Sequence, residues 1–266
     1  MIIIGERINA TRFAIKNALE KRDAEAIKKE ARAQADAGAD YLDVNGGTRP
    51  EAELDNMGWL CEVVQAEVSL PLCLDSANPA VIEAGLRLHK NGQPMINSIS
   101  MESGKHERIL PLVKQYGARV VALCMDDGGI PKTAAERVEV VARLAAEAAR
   151  VGVPLADIYV DPLVMALSAD ITAGQVALGT LWGIKARWPE IGATCGLSNI
   201  SFGLPNRRLL NRTFFAMLMA AGLDSAIIDP LDPQMMAAAK AGPALLGQDE
   251  YCMSYLKAYR AKRLEV

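Results

Sequence analysis

Eight short apolar runs, each closed by a polar or acidic residue and each followed by a helical pattern, constrain this 266-residue chain more than any other feature. They cover residues 2–5, 41–44, 70–74, 94–96, 120–124, 158–160, 193–197 and 225–228. Their closing residues are Glu6, Asn45, Asp75, Asn97, Asp126, Asp161, the pair Ser198-Asn199, and Asp229. Runs that are apolar throughout, rather than alternating, suit strands covered on both faces, as in parallel sheets. Helix starts and stops fall between them. Asn78-Pro79 supplies an N-cap followed by proline at the first helical position, and Thr133-Ala-Ala-Glu136 is a capping box opening a helix toward Arg150. Gly38, Gly92, Gly117, Gly152 and Gly222 stand where helices should end. Eight βα units without a linker or composition break predict an α/β fold, a (β/α)8 TIM barrel, as one domain over 1–266. A surplus helix at 249–263 is expected to cover the bottom or side.

Several function classes are excluded early. The formal charge of −3 gives no electrostatic footprint for nucleic acid. No apolar stretch approaches the ~20 residues that span a bilayer, so no membrane association is expected. Residues 1–7 read as a buried first strand rather than a signal peptide. Cys61, Cys73, Cys124, Cys195 and Cys252 are odd in number and form no C-x-x-C pair, which points to a reducing, cytoplasmic setting.

In a TIM barrel the active site gathers just past the carboxyl ends of the strands. That rim would present Glu6, Asn9, Asp43, Asn45, Asp75, Asn97, Asp126, Asp161, Ser198, Asn199, Arg207 and Asp229. It contains no lysine, and His89 and His106 read as surface residues elsewhere, so Schiff-base and triad chemistry lack their usual parts. Carboxylates and amides in this density suit a flat heterocycle with several N–H donors and ring acceptors, because a carboxylate accepts two parallel N–H bonds and an amide both donates and accepts. A pterin fits; guanine or another purine fits nearly as well. Cys73, Cys124 and Cys195 fall in odd-numbered strands that share a barrel layer and would let a zinc ion gather there. Cysteine as a small buried hydrophobe fits better, since thiolate zinc sites show tighter clusters, and no metal is expected. The run Phe214-Phe215-Ala-Met217-Leu-Met219 reads as a helix in the core or at a subunit contact.

The most informative turn is Gly196-Leu-Ser-Asn-Ile-Ser-Phe-Gly-Leu-Pro205, lying between the seventh apolar run and a helical pattern that starts near Asn211. Its glycines and proline permit backbone shapes that other residues resist, and it sets Ser198 and Asn199 at a strand's carboxyl end.

Gly5-Glu6-Arg7-Ile8-Asn9, Leu42-Asp43-Val44-Asn45, Leu74-Asp75-Ser76, Met95-Ile96-Asn97-Ser98 and Asp161-Pro162-Leu163 resemble, in order, the strand-end motifs of the pterin-binding barrels. With Asn206-Arg207 and Asn211-Arg212-Thr213-Phe214, the 196–205 turn resembles the seventh-strand loop of methyltetrahydrofolate:corrinoid protein methyltransferases. The resemblance covers essentially the whole chain. It implies a homodimer of barrels in one-carbon metabolism that takes methyltetrahydrofolate or tetrahydrofolate as substrate. By the same resemblance Asp75, Asn97 and Asp161 hold the pterin, Gly196, Ser198 and Arg207 line its pocket, and Asn199 faces N5 and its methyl group. Asp43 and Asn45 join them as candidate contacts. No D-x-H-x-x-G corrinoid signature is present, since His89 precedes Lys90-Asn91-Gly92 without an Asp two residues before it. The corrinoid (cobalamin) is therefore expected from a partner, a corrinoid/iron–sulfur protein or a demethylase corrinoid protein. Within the same resemblance, a dihydropteroate synthase-like pterin enzyme and a non-catalytic folate-binding partner of a corrinoid protein are the alternatives. A synthase should carry a basic residue for pyrophosphate where this turn reads Ser-Asn-Ile-Ser.

Overall fold

A computed structural model describes residues 1–264; Glu265 and Val266, the last two residues of the expected domain, lie outside the described residues. Eight parallel strands form one sheet: β1 (Ile2–Asn9), β2 (Tyr41–Asn45), β3 (Leu72–Asp75), β4 (Met95–Met101), β5 (Arg119–Asp126), β6 (Ile158–Asp161), β7 (Gly192–Ala193) and β8 (Ser225–Ile228). Their order is β7-β6-β5-β4-β3-β2-β1-β8. The amides of Asp224 and Ile227 donate to the carbonyls of Ala193 and Cys195, each at 3.0 Å, and close the ring between β8 and β7. No described helix is long and apolar enough to cross a membrane.

Strand alternation sorts each apolar run between two cores, since successive side chains point to opposite faces. Outward residues such as Leu42, Val44, Leu74 and Ile96 pack under the helices. Inward, Ile4, Tyr41, Cys73, Met95, Val121 and Tyr159 form a buried layer with one residue from each of β1 to β6. Two residues further along each strand the inward positions are Glu6, Asp43, Asp75, Asn97, Leu123 and Asp161, and Asp229 follows Ile227 past β8. The barrel is thus plugged with apolar side chains below and lined with polar ones at its carboxyl mouth. Arg119 closes the opposite end, its guanidinium over the rings of Tyr41 and Tyr159 at 5.9 and 5.6 Å.

Most caps lie where the sequence puts them, but His89 rather than Gly92 caps helix Pro79–Leu88, and Ala221 rather than Gly222 caps helix Arg207–Ala220. Asn78 accepts from the Ala80 amide, Thr133 and Glu136 form the capping box, and Gly38, Gly117 and Gly152 end helices in the left-handed conformation. Three further expectations need correction. β7 is the pair Gly192–Ala193 rather than 193–197, because the chain turns at Gly196 into a single 3-10 segment, Leu197–Ser201. The helix after it, Arg207–Ala220, starts a turn before Asn211, with Asn206 left-handed at its N-cap. His106 is buried in the first turn of helix His106–Tyr116 rather than on the surface. The surplus 249–263 segment folds as a 3-10 turn and the helix Met253–Arg260, which packs on helix Pro233–Leu245.

Candidate active site at the barrel mouth

The polar mouth is wired across strands. Asn45 donates its side-chain amide to Asp75 at 3.0 Å, Asn9 donates to the same oxygen at 3.4 Å, and Asn97 donates to Asp43 at 3.1 Å. Asp75 and Asn97 are register partners on β3 and β4, so the two bonds sit side by side and leave one acceptor oxygen of Asn97 and one of Asp75 facing inward. Asp161 accepts from the Leu163 amide at 2.7 Å and from the Gly196 amide, which joins β6 to the seventh-strand turn. Gly196 has an ordinary negative φ of −82°, so it is not needed for backbone freedom. A Cβ there would meet nothing within 4 Å, so the space beside it is open. In the same turn Gly203 does require glycine, at φ +78°.

Burial governs the acids here. It pushes Asp43 up to about 8, with the Asp75 carboxylate beside it adding to the rise and the Asn97 amide opposing it. Asp161 rises to about 6 through burial, against the pull of the Leu163 and Gly196 amides. Asp75 is also raised by burial, while Asn45 holds it down. At neutral pH the buried Asp43 therefore keeps its proton. A folded state that holds protons which the unfolded chain releases near pH ~4 loses stability as pH rises. The urea midpoint of the parent should fall between pH 5 and pH 8, and Asp43→Asn should flatten that fall. An unchanged slope in the variant would show that Asp43 is ionised in the fold.

The seventh-strand turn is fastened by its neighbours. Arg207 donates to the Ser198 carbonyl at 2.8 Å and to the Ser201 hydroxyl at 3.0 Å; Ser201 is fully buried. The Leu167 amide donates to the Ile200 carbonyl at 3.0 Å, and the Ser168 hydroxyl to the Phe202 carbonyl at 2.7 Å. Asn199 is exposed, and its side-chain amide makes no hydrogen bond among the described residues. The turn is rigid and its one free amide projects from it.

Asp43, Asn45, Asp75, Asn97, Asp161 and Gly196 come together as expected, with Ser198 and Asn199 on the adjoining turn. Arg207 spends its guanidinium on that turn. Asp126 is set apart: three residues beyond the inward Leu123 it has the wrong parity, and it pairs with Arg143 and caps the Gly128 amide at 2.9 Å. Cys73 faces the inner layer, whereas Cys124 and Cys195 face two separate outer cores, so the three do not share a layer. Sequence reasoning missed Ser201 as the anchor of the turn and Arg7 as the partner of Asp229 at 2.7 Å. The alternating signs of Glu6-Arg7 beside Asp229 were the available signal.

The model of pterin binding enzymes matches residues 5–229, the span from the first strand to the acid after the last. The chain belongs to the pterin-binding enzymes. This family member is 41% identical over 266 residues to the methylcorrinoid:tetrahydrofolate methyltransferase of Eubacterium limosum, covering 99% of this chain and 98% of that one. It is 33% identical over 241 residues to the methionine synthase of Mycobacterium tuberculosis, matching 86% of this chain but only 20% of that longer protein. Among solved structures the 7,8-dihydropteroate synthase from Vibrio fischeri ES114 superposes with a TM-score of 0.74 at 16% identity, covering 93% of each chain, a likeness of fold.

Proposed function

We propose that this pterin-binding enzyme is a methyltransferase that moves the N5-methyl group between methyltetrahydrofolate and the cobalt of a corrinoid held by a separate protein. The observation that carries the reading is a polar inward layer beneath a rigid turn with one free amide. Asp75, Asn97 and Asp161 offer acceptors to the N–H edge of the pterin, assisted by Asn45 and the protonated Asp43. Gly196 leaves room for the ring and Ser198 borders it. Arg207 contributes by holding the turn. The name of the full-length relative supports the reaction.

The corrinoid supplies a cobalt that gives or receives the methyl group. An amine anion is a poor leaving group, so N5 needs a proton or a strong hydrogen bond in the transition state. Asn199, unengaged on a turn whose backbone is fastened, is the donor suited to N5. The partner would approach over the mouth, where Phe13, Ile171, Phe202 and Leu209 are all exposed on segments that follow β1, β6 and β7. Apolar side chains gathered on one face mark a docking surface. The test is a stopped-flow mixture of methyltetrahydrofolate, this protein and chemically reduced cobalamin. Loss of the Co(I) absorption band at an enzyme-dependent rate is expected; tight folate binding without that loss would leave a folate-binding scaffold.

A further inference from the structure

The pterin has two edges, and the barrel presents them with different walls. Asp75, Asn97 and Asp161 on β3, β4 and β6 take the 2-amino-4-oxo edge in the functional reading above, on which this inference rests. The N5 edge then faces the opposite wall, built by β7, β8 and β1. On that wall lies a cavity of about 80 Å³ lined by Glu6, Ser198, Asn211, Asp229 and Asp232, with Leu197, Ile227 and Met235 as its apolar sides. A water molecule's share of liquid volume is about 30 Å³, so the space admits water, and the buried Oδ1 of Asn211 has no partner among the described residues.

The acids of this cavity are unequal. Asp229 accepts from Arg7 at 2.7 Å and from the Leu231 amide at 3.0 Å. Asp232 is held by both its oxygens to Arg212, at 2.8 and 2.9 Å. Glu6 has no side-chain hydrogen bond among the described residues. We propose that Glu6 is the proton reservoir for N5, exchanging its proton through the water-sized cavity and the Ser198-Asn199 turn.

The step balances in both directions. Toward the corrinoid, the N5–CH3 bond breaks and leaves its electron pair on N5. The Glu6 carboxyl proton forms the new N5–H bond, and the resulting carboxylate is refilled from solvent. The cobalt supplies the electron pair of the carbon–cobalt bond. In reverse, N5 takes the methyl group and its proton passes to the Glu6 carboxylate. The charges facing Glu6 favour a carboxyl that holds a proton. Burial and Asp229 raise its affinity for one, and Arg12 from the following turn and Arg7 from its own strand oppose them. Arg7 is largely engaged by Glu30 of helix Ala24–Ala37 and by Asp229, and Arg212 of helix Arg207–Ala220 is engaged by Asp232.

The experiment is single-turnover methyl transfer from methyltetrahydrofolate to reduced cobalamin between pH 5 and 9, with affinity for methyltetrahydrofolate measured by calorimetry. The parent should slow as pH rises and Glu6 loses its proton. Glu6→Gln should slow transfer roughly 10–30-fold, below the ~10²–10⁴ typical of a general acid because water can deliver protons to the open cavity. It should also erase the pH limb while affinity stays within about threefold, and Glu6→Asp should keep the limb even if the Gln variant folds poorly. A Glu6→Gln enzyme with parental rate and pH limb overturns the assignment alone, as does a slowing matched by an equal loss of affinity. A parent that binds no methyltetrahydrofolate overturns the functional reading and the assignment together.

Discussion

Replacing Asn199 with Ala should lower methyl transfer by about 10²–10³-fold while leaving the affinity for methyltetrahydrofolate within about threefold. Removing one preorganised donor aimed at developing charge typically costs that much in turnover. The split between rate and affinity follows from what Asn199 does and does not touch. Its side chain is exposed and unbonded, so truncation strands no buried partner and leaves no cavity. The turn is held instead by Arg207 on the Ser198 carbonyl and the Ser201 hydroxyl, by the Leu167 amide and by Ser168. The melting temperature should therefore stay near the parent's, as for surface changes away from packed features. Loss of rate with retained affinity marks an interaction made in the transition state only. Unchanged turnover would remove Asn199 from the mechanism, and equal losses in rate and affinity would make it a binding residue. Ser201→Ala tests the same logic one step back, because it loosens the Arg207 clamp without touching the pterin.

Much of this architecture can be read in the chain because parallel strands covered on both faces leave a strong signal: continuous apolar runs with an acid or amide at the end. Asp75, Asn97 and Asp161 come directly from that rule. The rule fails where it ignores parity. Glu6, Asp43, Asp75, Asn97 and Asp161 each lie two residues past a buried inward side chain, whereas Asp126 lies three past Leu123 and turns outward to Arg143. Counting by two from Tyr41 or Cys73 finds the inner ring; reading the last polar residue of a run does not. β7 is found but misplaced, because it has only two residues and the buried Cys195 and Leu197 beyond them extend the run after the strand has ended. His106 is buried by the packing of its helix, which no local pattern reports. The protonation of Asp43 follows from complete burial next to a second acid, a property of the assembled barrel and not of any segment.

Asp75 should carry the largest share of pterin binding. Two amides, from Asn45 and Asn9, donate to its side chain and fix its orientation. Asn45 and Asn9 share one of its oxygens, which leaves the other to accept an N–H from the ring. Truncating one member of a buried charged hydrogen-bonded set costs about 2–5 kcal/mol. Asp75→Ala should therefore weaken methyltetrahydrofolate by about 10²–10³-fold in a calorimetric titration. Asp75→Asn should do nearly as badly despite its shape, because one of its two terminal atoms becomes a donor facing a donor. The Ala variant carries a further cost from the stranded amides of Asn45 and Asn9, at roughly 1–3 kcal/mol for an unsatisfied group. That cost appears in stability rather than affinity, so a denaturant midpoint measured without ligand separates the two. If Asp75→Asn binds as the parent does, the carboxylate is not the group that grips the ring, and the pterin must lie against Asp161 instead.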